Sequence, residues 1–342
     1  MIAPPDPLRE FSGVISPLNL SPLWERTVKL TPGSNCVPAV WHYAEMWPLL
    51  NRAGALITKK QADRRVLVME NPSLRGTSFI TNSLYAGLQI ILPGEIAPSH
   101  RHTPSALRFV VEGEGAYTAV DGEQIPMRSG DFVVTPSWAW HDHGNLGHAP
   151  VVWMDGLDTP FANFFGANFR ENYPDECYPV TRATGANTNQ HGANMLPLEY
   201  RADGENSPLL IYEFDRTREA LRGLARASAP HPAHGYKLRY ANPATGGHPF
   251  ATMAAFMQLL PEKFHGAVVR STDGTIFNVA DGECRVEMGG RSHALETHDV
   301  FVVPPWEPYR FVADRNCLLF SFSDRAAQEA LGFWREQMLN IG

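Results

Sequence analysis

Two stretches decide the fold: PGEIAPSHRHTPSALRFVVEG at 93–113 and DFVVTPSWAWHDHGN at 131–145. Both are short, alternate apolar with polar residues, and are bounded by Gly, Pro and Asp, the pattern of antiparallel strands joined by tight turns. In an extended chain alternate side chains share a face, so His100 and His102 point the same way and His141 approaches from a neighbouring strand. Three neutral imidazoles in a facial arrangement suit a first-row divalent metal, and a six-coordinate ion would keep three positions open. Three open positions match a bidentate substrate plus dioxygen.

Outward from these stretches the two-residue period continues through SLYAGLQIIL at 83–92, with PGE, DGE and RSGD turns. It returns after residue 250 in AAFMQLLPEKF, TIFNVADGECRVEM and HDVFVVPPW. The two regions repeat each other. LPGEIAPSH from Leu92 and LPEKFHGAV from Leu260 are 168 residues apart, and DFVVTPSW from Asp131 meets DVFVVPPW from Asp299 at the same offset, which implies a duplicated β-barrel or sandwich. On that offset His100, His102 and His141 fall on Val268, Arg270 and Tyr309, so only the first copy is expected to bind metal.

The expected organisation is a helical arm over 1–75, a metal-binding β-domain over 76–165, a linker over 166–247, and a degenerate second β-domain over 248–342 closed by a helix in SDRAAQEALGFWREQ. In the arm, LSPLWERTVKL, EMWPLLNRAGALI and KKQADRRVLVME read as helical segments broken by proline, and the linker holds one helix at DRTREALRGLARA. The 342 residues include 29 basic and 36 acidic ones, a net charge of -7, which argues against general nucleic-acid or anionic-membrane binding. No apolar run is long enough to span a bilayer and no signal-like start is present, so a cytoplasmic protein is expected. Cys36, Cys177, Cys284 and Cys317 form no CxxC pair, which suggests neither a thiolate metal site nor a disulfide framework.

Gly94 with His100 and His102, then Gly130, Pro136, His141 and Asn145, resemble the two signature motifs of the cupin superfamily, and the duplication resembles a bicupin: a mainly β protein of two antiparallel barrel or jelly-roll domains. Two departures stand out. Trp138 occupies a position where glycine is usual, and Ala106 stands where the family's glutamate ligand would be. Because Ala106 fills an inward slot, parity turns Arg108 inward as well, where a small barrel would require an anion to face it. Tyr85 shares parity with Gln89, His143 with His141, and Asp155 with Trp153. A satisfied structural polar residue is the plain alternative for each.

Longer pieces (PLWE at 22, PAVWHY at 38, RRVL at 64, SLYAGLQIILPGEIAPSHRHTPSALRFVVEG at 83 and WHDHGN at 140) resemble gentisate 1,2-dioxygenase and its relatives acting on salicylate or 1-hydroxy-2-naphthoate. The resemblance implies an extradiol-type, Fe(II)-dependent oxidoreductase of aromatic catabolism, one iron per chain, usually homotetrameric, that opens a hydroxybenzoate ring with dioxygen and yields maleylpyruvate from gentisate. His100, His102 and His141 match its iron ligands; Arg108, Gln89, His143 and Asp155 match pocket positions, and Arg64 resembles a residue contributed to the pocket. Chelation through one carboxylate oxygen and the ortho hydroxyl, with Arg108 on the remaining charge, would orient the ring. His143 would serve in proton transfer or hydrogen bonding beside the metal, Gln89 or Asp155 would hold a ring hydroxyl, and Tyr85 with Gln89 would favour gentisate over salicylate. The rival classes are a redox-silent cupin isomerase and a non-catalytic, ligand-binding bicupin.

Overall fold

A computed structural model describes residues 6–58, 61, 63–193, 195–201 and 206–339. Residues up to Pro32 form a unit of their own. Its helix α1 (Pro7–Ile15) begins at Asp6, whose carboxylate accepts from the Leu8 amide at 3.1 Å. Within LSPLWERTVKL only Leu23–Glu25 coils, as one 3-10 turn, so the helix expected there is absent.

From Gly33 onward the chain is one unit. In order it contains β1 (Ala39–Trp41), α2 (Tyr43–Leu56), β2 (Arg65–Val68), β3 (Tyr85–Ile91), β4 (Ile96–His102), β5 (Ala106–Glu112), β6 (Glu114–Val120), β7 (Glu123–Arg128), β8 (Phe132–Thr135), β9 (His141–Asn145) and β10 (Val151–Leu157). There follow α3 (Thr159–Phe164), β11 (Arg170–Asn172), α4 (Ala186–His191), β12 (Ile211–Tyr212), α5 (Phe214–Ala227) and β13 (Tyr236–Arg239). The last part holds β14 (Ala254–Leu260), β15 (Phe264–His265), β16 (Val268–Ser271), β17 (Thr275–Asp281), β18 (Cys284–Met288), β19 (Arg291–Leu295), β20 (Val300–Val303), β21 (Tyr309–Ala313), β22 (Cys317–Ser323), α6 (Arg325–Ala330) and β23 (Glu336–Leu339).

The duplication holds strand by strand. The first barrel joins a sheet of order β12-β8-β5-β10-β3-β2 to one of order β11-β4-β9-β6-β7; the second joins β1-β20-β17-β22-β14-β13 to β19-β18-β21-β16-β23. Even the irregularities recur, with a register shift at Val152/Trp153 on β10 and another at Val279/Asp281 on β17. The backbone also accounts for the unusual tryptophan: Trp138 and its counterpart Trp306 both have φ of 66°, the left-handed region that glycine enters without steric cost. The Trp138 amide donates to His102 O at 2.9 Å, so this turn docks against the metal-site strand.

The β12-β8-β5-β10-β3-β2 and β1-β20-β17-β22-β14-β13 sheets pack face to face through one apolar core, in which the rings of Phe109 and Phe320 stack with centroids 4.2 Å apart. Each barrel also has its own interior cluster.

Several expectations need correction. KKQADRRVLVME does not make an amphipathic helix: Val66, Leu67 and Val68 are consecutive, their β-branched members favour extended backbone, and the segment pairs with β3 as strand β2. Lys59, Lys60 and Ala62 of that piece lie outside the described residues. The stretch 166–247, read as linker, supplies β11 and β12 to the first barrel and β13 to the second. The C-terminal helix covers only Arg325–Ala330, after which the chain adds β23 to the edge of β16. The helices expected in EMWPLLNRAGALI and DRTREALRGLARA are present as α2 and α5.

Candidate metal centre and active site

β4 and β9 are hydrogen-bonded neighbours with His100 directly opposite His141, and His102 lies two residues on along the same face. Candidate ligand atoms of the three histidines all lie within 4.8 Å of one another. The orientation of two rings is set by backbone: His102 Nδ1 faces Pro104 O at 2.7 Å and His141 Nδ1 faces Ala139 O at 2.9 Å. An Nδ1–H bonded to a carbonyl leaves the Nε2 lone pair for a metal, and among the described residues His141 Nε2 is buried without a partner. Burial first, and neighbouring positive groups second, hold His100 and His141 far below the usual imidazole range, while burial brings His102 down to about 4 despite its bond to Pro104 O. The cluster is therefore neutral near pH 7, the form that ligates.

His100 Nδ1 has two neighbours, Pro98 O at 3.3 Å and an Arg64 guanidinium nitrogen at 2.8 Å. Arg64 thus reaches the cluster itself, positioned by the turn into β2 rather than by a helix.

The histidines open onto a cavity of about 340 Å³ that Arg64, Tyr85, Gln89, Arg108 and Asp155 also line. Arg108 is 3% exposed; its Nη1 donates to Thr135 Oγ1 at 2.5 Å, and its Nε lies 3.3 Å from Asp155 Oδ1. Asp155 accepts from Trp153 Nε1 at 3.1 Å, and burial pushes its carboxyl up against the opposing pull of Arg108 and Arg64. Burial and the neighbouring Arg108 lower Arg64 to about 9. Asp155 is thus paired with Arg108 and feels Arg64 at longer range inside the cavity, and among the described residues Gln89 Oε1 is buried with no partner. Both features suit an anionic, hydroxyl-bearing ligand.

His143 is placed differently from the expectation. It is buried behind His141, its ring 5.7 Å from that of His141 and 5.6 Å from that of Trp153, with Nδ1 3.1 Å from Thr118 Oγ1. It is not among the residues that line the cavity. Sequence reasoning missed Thr135, which anchors Arg108, and Thr159 and Asn163 of α3, which close one side of the cavity. Parity on β8 would have found Thr135, because it pairs with Ala106 and so belongs to the same layer. It also missed Gly87: a Cβ there would lie 2.5 Å from Val66 Cγ1 and 2.9 Å from the Tyr85 hydroxyl, so glycine makes room for that hydroxyl.

In the second barrel the corresponding space is filled. Phe277, which pairs with Phe301 as Arg108 pairs with Val133, stacks on Phe301 at 4.8 Å, with Phe311 and Tyr309 packed around them.

A duplicated β-barrel with three convergent imidazoles in one copy defines a metal-binding bicupin, and residues 87–157 match the family model described as a cupin domain. The chain is 47% identical to gentisate 1,2 dioxygenase 1 of Aquipseudomonas alcaligenes, covering 96% of this chain and 95% of that one. It is 35% identical to a 1-hydroxy-2-naphthoate 1,2-dioxygenase of Nocardioides sp. (strain KP7), covering 88% and 79%. A salicylate 1,2-dioxygenase variant from Pseudoaminobacter salicylatoxidans, solved in complex with gentisate, superposes with a TM-score of 0.91 at 33% identity over 99% of this chain and 97% of that one. The chain belongs to the gentisate 1,2-dioxygenase family of ring-cleaving oxidoreductases.

Proposed function

We propose that this chain cleaves gentisate with dioxygen to maleylpyruvate at one Fe(II) held by His100, His102 and His141. The observation that carries the reading is the pairing of a neutral three-imidazole cluster with a cavity holding two arginines against one carboxylate. Fe(II) suits a donor set of three imidazoles with open positions and would supply a redox-active Lewis acid where ring and dioxygen meet. Ligation by His100 through Nε2 requires its Nδ1–H to donate to Pro98 O. Arg64, which can only donate, is then left for the substrate anion.

Arg108, braced by Thr135 and Asp155, presents its remaining N–H groups to the substrate carboxylate and sets the angle of the ring. Gln89 Oε1 accepts from the 5-hydroxyl, with the Tyr85 hydroxyl at the same wall; burial holds that phenol above its usual range, so it stays protonated and can donate. His143 fixes the orientation of the strand that carries His141. The active unit in this reading is a cytoplasmic homotetramer.

The test is oxygen uptake by Fe(II)-loaded protein on gentisate, salicylate and 1-hydroxy-2-naphthoate. Gentisate should be turned over much faster, since a site built to bond a hydroxyl discriminates strongly against an analogue lacking it. Comparable rates on salicylate would overturn the substrate assignment, and activity without a divalent metal would overturn the site.

A further inference from the structure

Although the second barrel's interior is filled, its mouth is not. A cavity of about 370 Å³ lies there, lined by residues of β13, β14, α6 and β23, among them Lys237, Phe256, Arg325 and Glu336. β13, β14 and α6 have counterparts among the elements that line the metal-site cavity. β13 pairs with β14 as β2 pairs with β3, α6 follows β22 as α3 follows β10, and β23 flanks β16 as β11 flanks β4. The match extends to residues: Lys237 lies opposite Gln258 where Val66 lies opposite Gln89, and Arg325 opens α6 as the cavity-lining Thr159 opens α3.

The chemistry at this mouth is that of an anion site with an apolar floor. The Lys237 ammonium sits 4.5 Å over the Phe256 ring, and among the described residues no carboxylate comes within ion-pair distance of it. Of the carboxylates that pull on Lys237 from a distance, Asp273 accepts from Trp334 Nε1 at 3.1 Å and Glu336 meets His234 at 3.2 Å, while Arg325 meets Glu329 through its Nε at 2.7 Å. Arg325 is stacked 3.7 Å over Trp334, which fixes its position. A desolvated cation with no carboxylate in direct contact is costly unless a ligand brings one. Burial in fact lowers Lys237 to about 8. Leu224 and the Phe256 ring supply an apolar wall beside the cations.

We propose that the mouth of the second cupin barrel is a binding site for a small organic carboxylate, whose charge pairs with Lys237 and Arg325 and whose apolar body lies against Phe256. It is independent of the metal centre.

The chain has five lysines, so peptide mass spectrometry can follow Lys237 individually. The iron-loaded protein is acetylated with acetic anhydride near pH 8, with benzoate, its neutral isostere benzamide, or inorganic phosphate present. At about ten times its Kd, benzoate should slow Lys237 labelling about tenfold by mass action, while benzamide should not, and labelling of the exposed Lys263 should not change. No protection by benzoate, or equal protection by benzamide, overturns the proposal; equal protection by phosphate overturns the organic-carboxylate class. Independently, equilibrium dialysis with benzoate should lose one binding event per chain in Lys237→Met and keep it in Lys237→Arg, with oxygen uptake on gentisate unchanged in both. An unaltered stoichiometry in Lys237→Met also overturns it.

Discussion

Replacing Arg108 by lysine keeps the positive charge and removes the fork. In the folded protein the guanidinium has three simultaneous duties: Nη1 donates to Thr135 Oγ1 at 2.5 Å, Nε lies 3.3 Å from Asp155, and the rest faces the cavity. A lysine offers one point charge on a flexible stem and cannot be braced by Thr135 and Asp155 while also presenting two parallel donors. At least one charge-assisted hydrogen bond to substrate is lost, worth about 1.5–3 kcal/mol, which corresponds to a fall of about 10- to 150-fold in kcat/KM. The loss should appear mainly in kcat. A metal held by the three histidines would anchor the ring in the ground state, whereas the angle that Arg108 imposes matters most as the ring is attacked. The assay is steady-state oxygen uptake on gentisate, with metal content and thermal unfolding measured on the same preparation. A fully metal-loaded Arg108→Lys protein with wild-type kcat and KM would refute the reasoning and pass the carboxylate to Arg64.

His102→Ala should abolish metal binding and turnover, whereas Tyr309→Phe, at the matching place in the second barrel, should leave one metal per chain by elemental analysis. Gly130→Ala should destabilise by about 2–4 kcal/mol in chemical denaturation, because Gly130 has φ of 88° and a Cβ there would lie 2.4 Å from the Phe214 ring. Asp158, which accepts from the Ser105 amide and from Thr252, is pushed up to about 6 by burial. Its folded state therefore binds more protons than the unfolded one, and its contribution to stability grows as pH falls. Between pH 7.5 and 5 wild type should gain about 1.4 kcal/mol over Asp158→Asn, and a difference between the two that does not change with pH would contradict this.

The three-histidine cluster was legible because a period of two and a tight turn leave little freedom: His100 and His102 must share a face, and a repeated DFVV strand places His141 nearby. Arg108 followed from the same parity. His143 shows where parity stops. It gives the correct face of β9 but not the depth, and two residues further along the strand the side chain is behind the ligand instead of beside it. The reading of Arg64 failed in secondary structure, since four apolar residues in a row after a charged cluster fit a helix face as well as an edge strand. Only pairing with β3 decides. β11, β12, β13 and β23 are two to four residues long, too short to show a period, and are strands only because a neighbouring edge accepts them.

The placement of β1 bears on how the molecule is made. Ala39 pairs with Val302 and Trp41 with Val300, so a strand that leaves the ribosome early waits for a partner synthesised some 260 residues later, beyond the entire first barrel. β13, on the opposite edge of the same sheet, also precedes residue 248. A fragment carrying only 248–342 would expose both flanks of that sheet, bare ladders prone to pair with other chains. Closing such distant contacts is entropically slow. The first barrel can therefore assemble during translation, whereas the second is completed only by reaching back to β1, and the interval before β20 has been synthesised becomes the stage at which aggregation competes most strongly with folding.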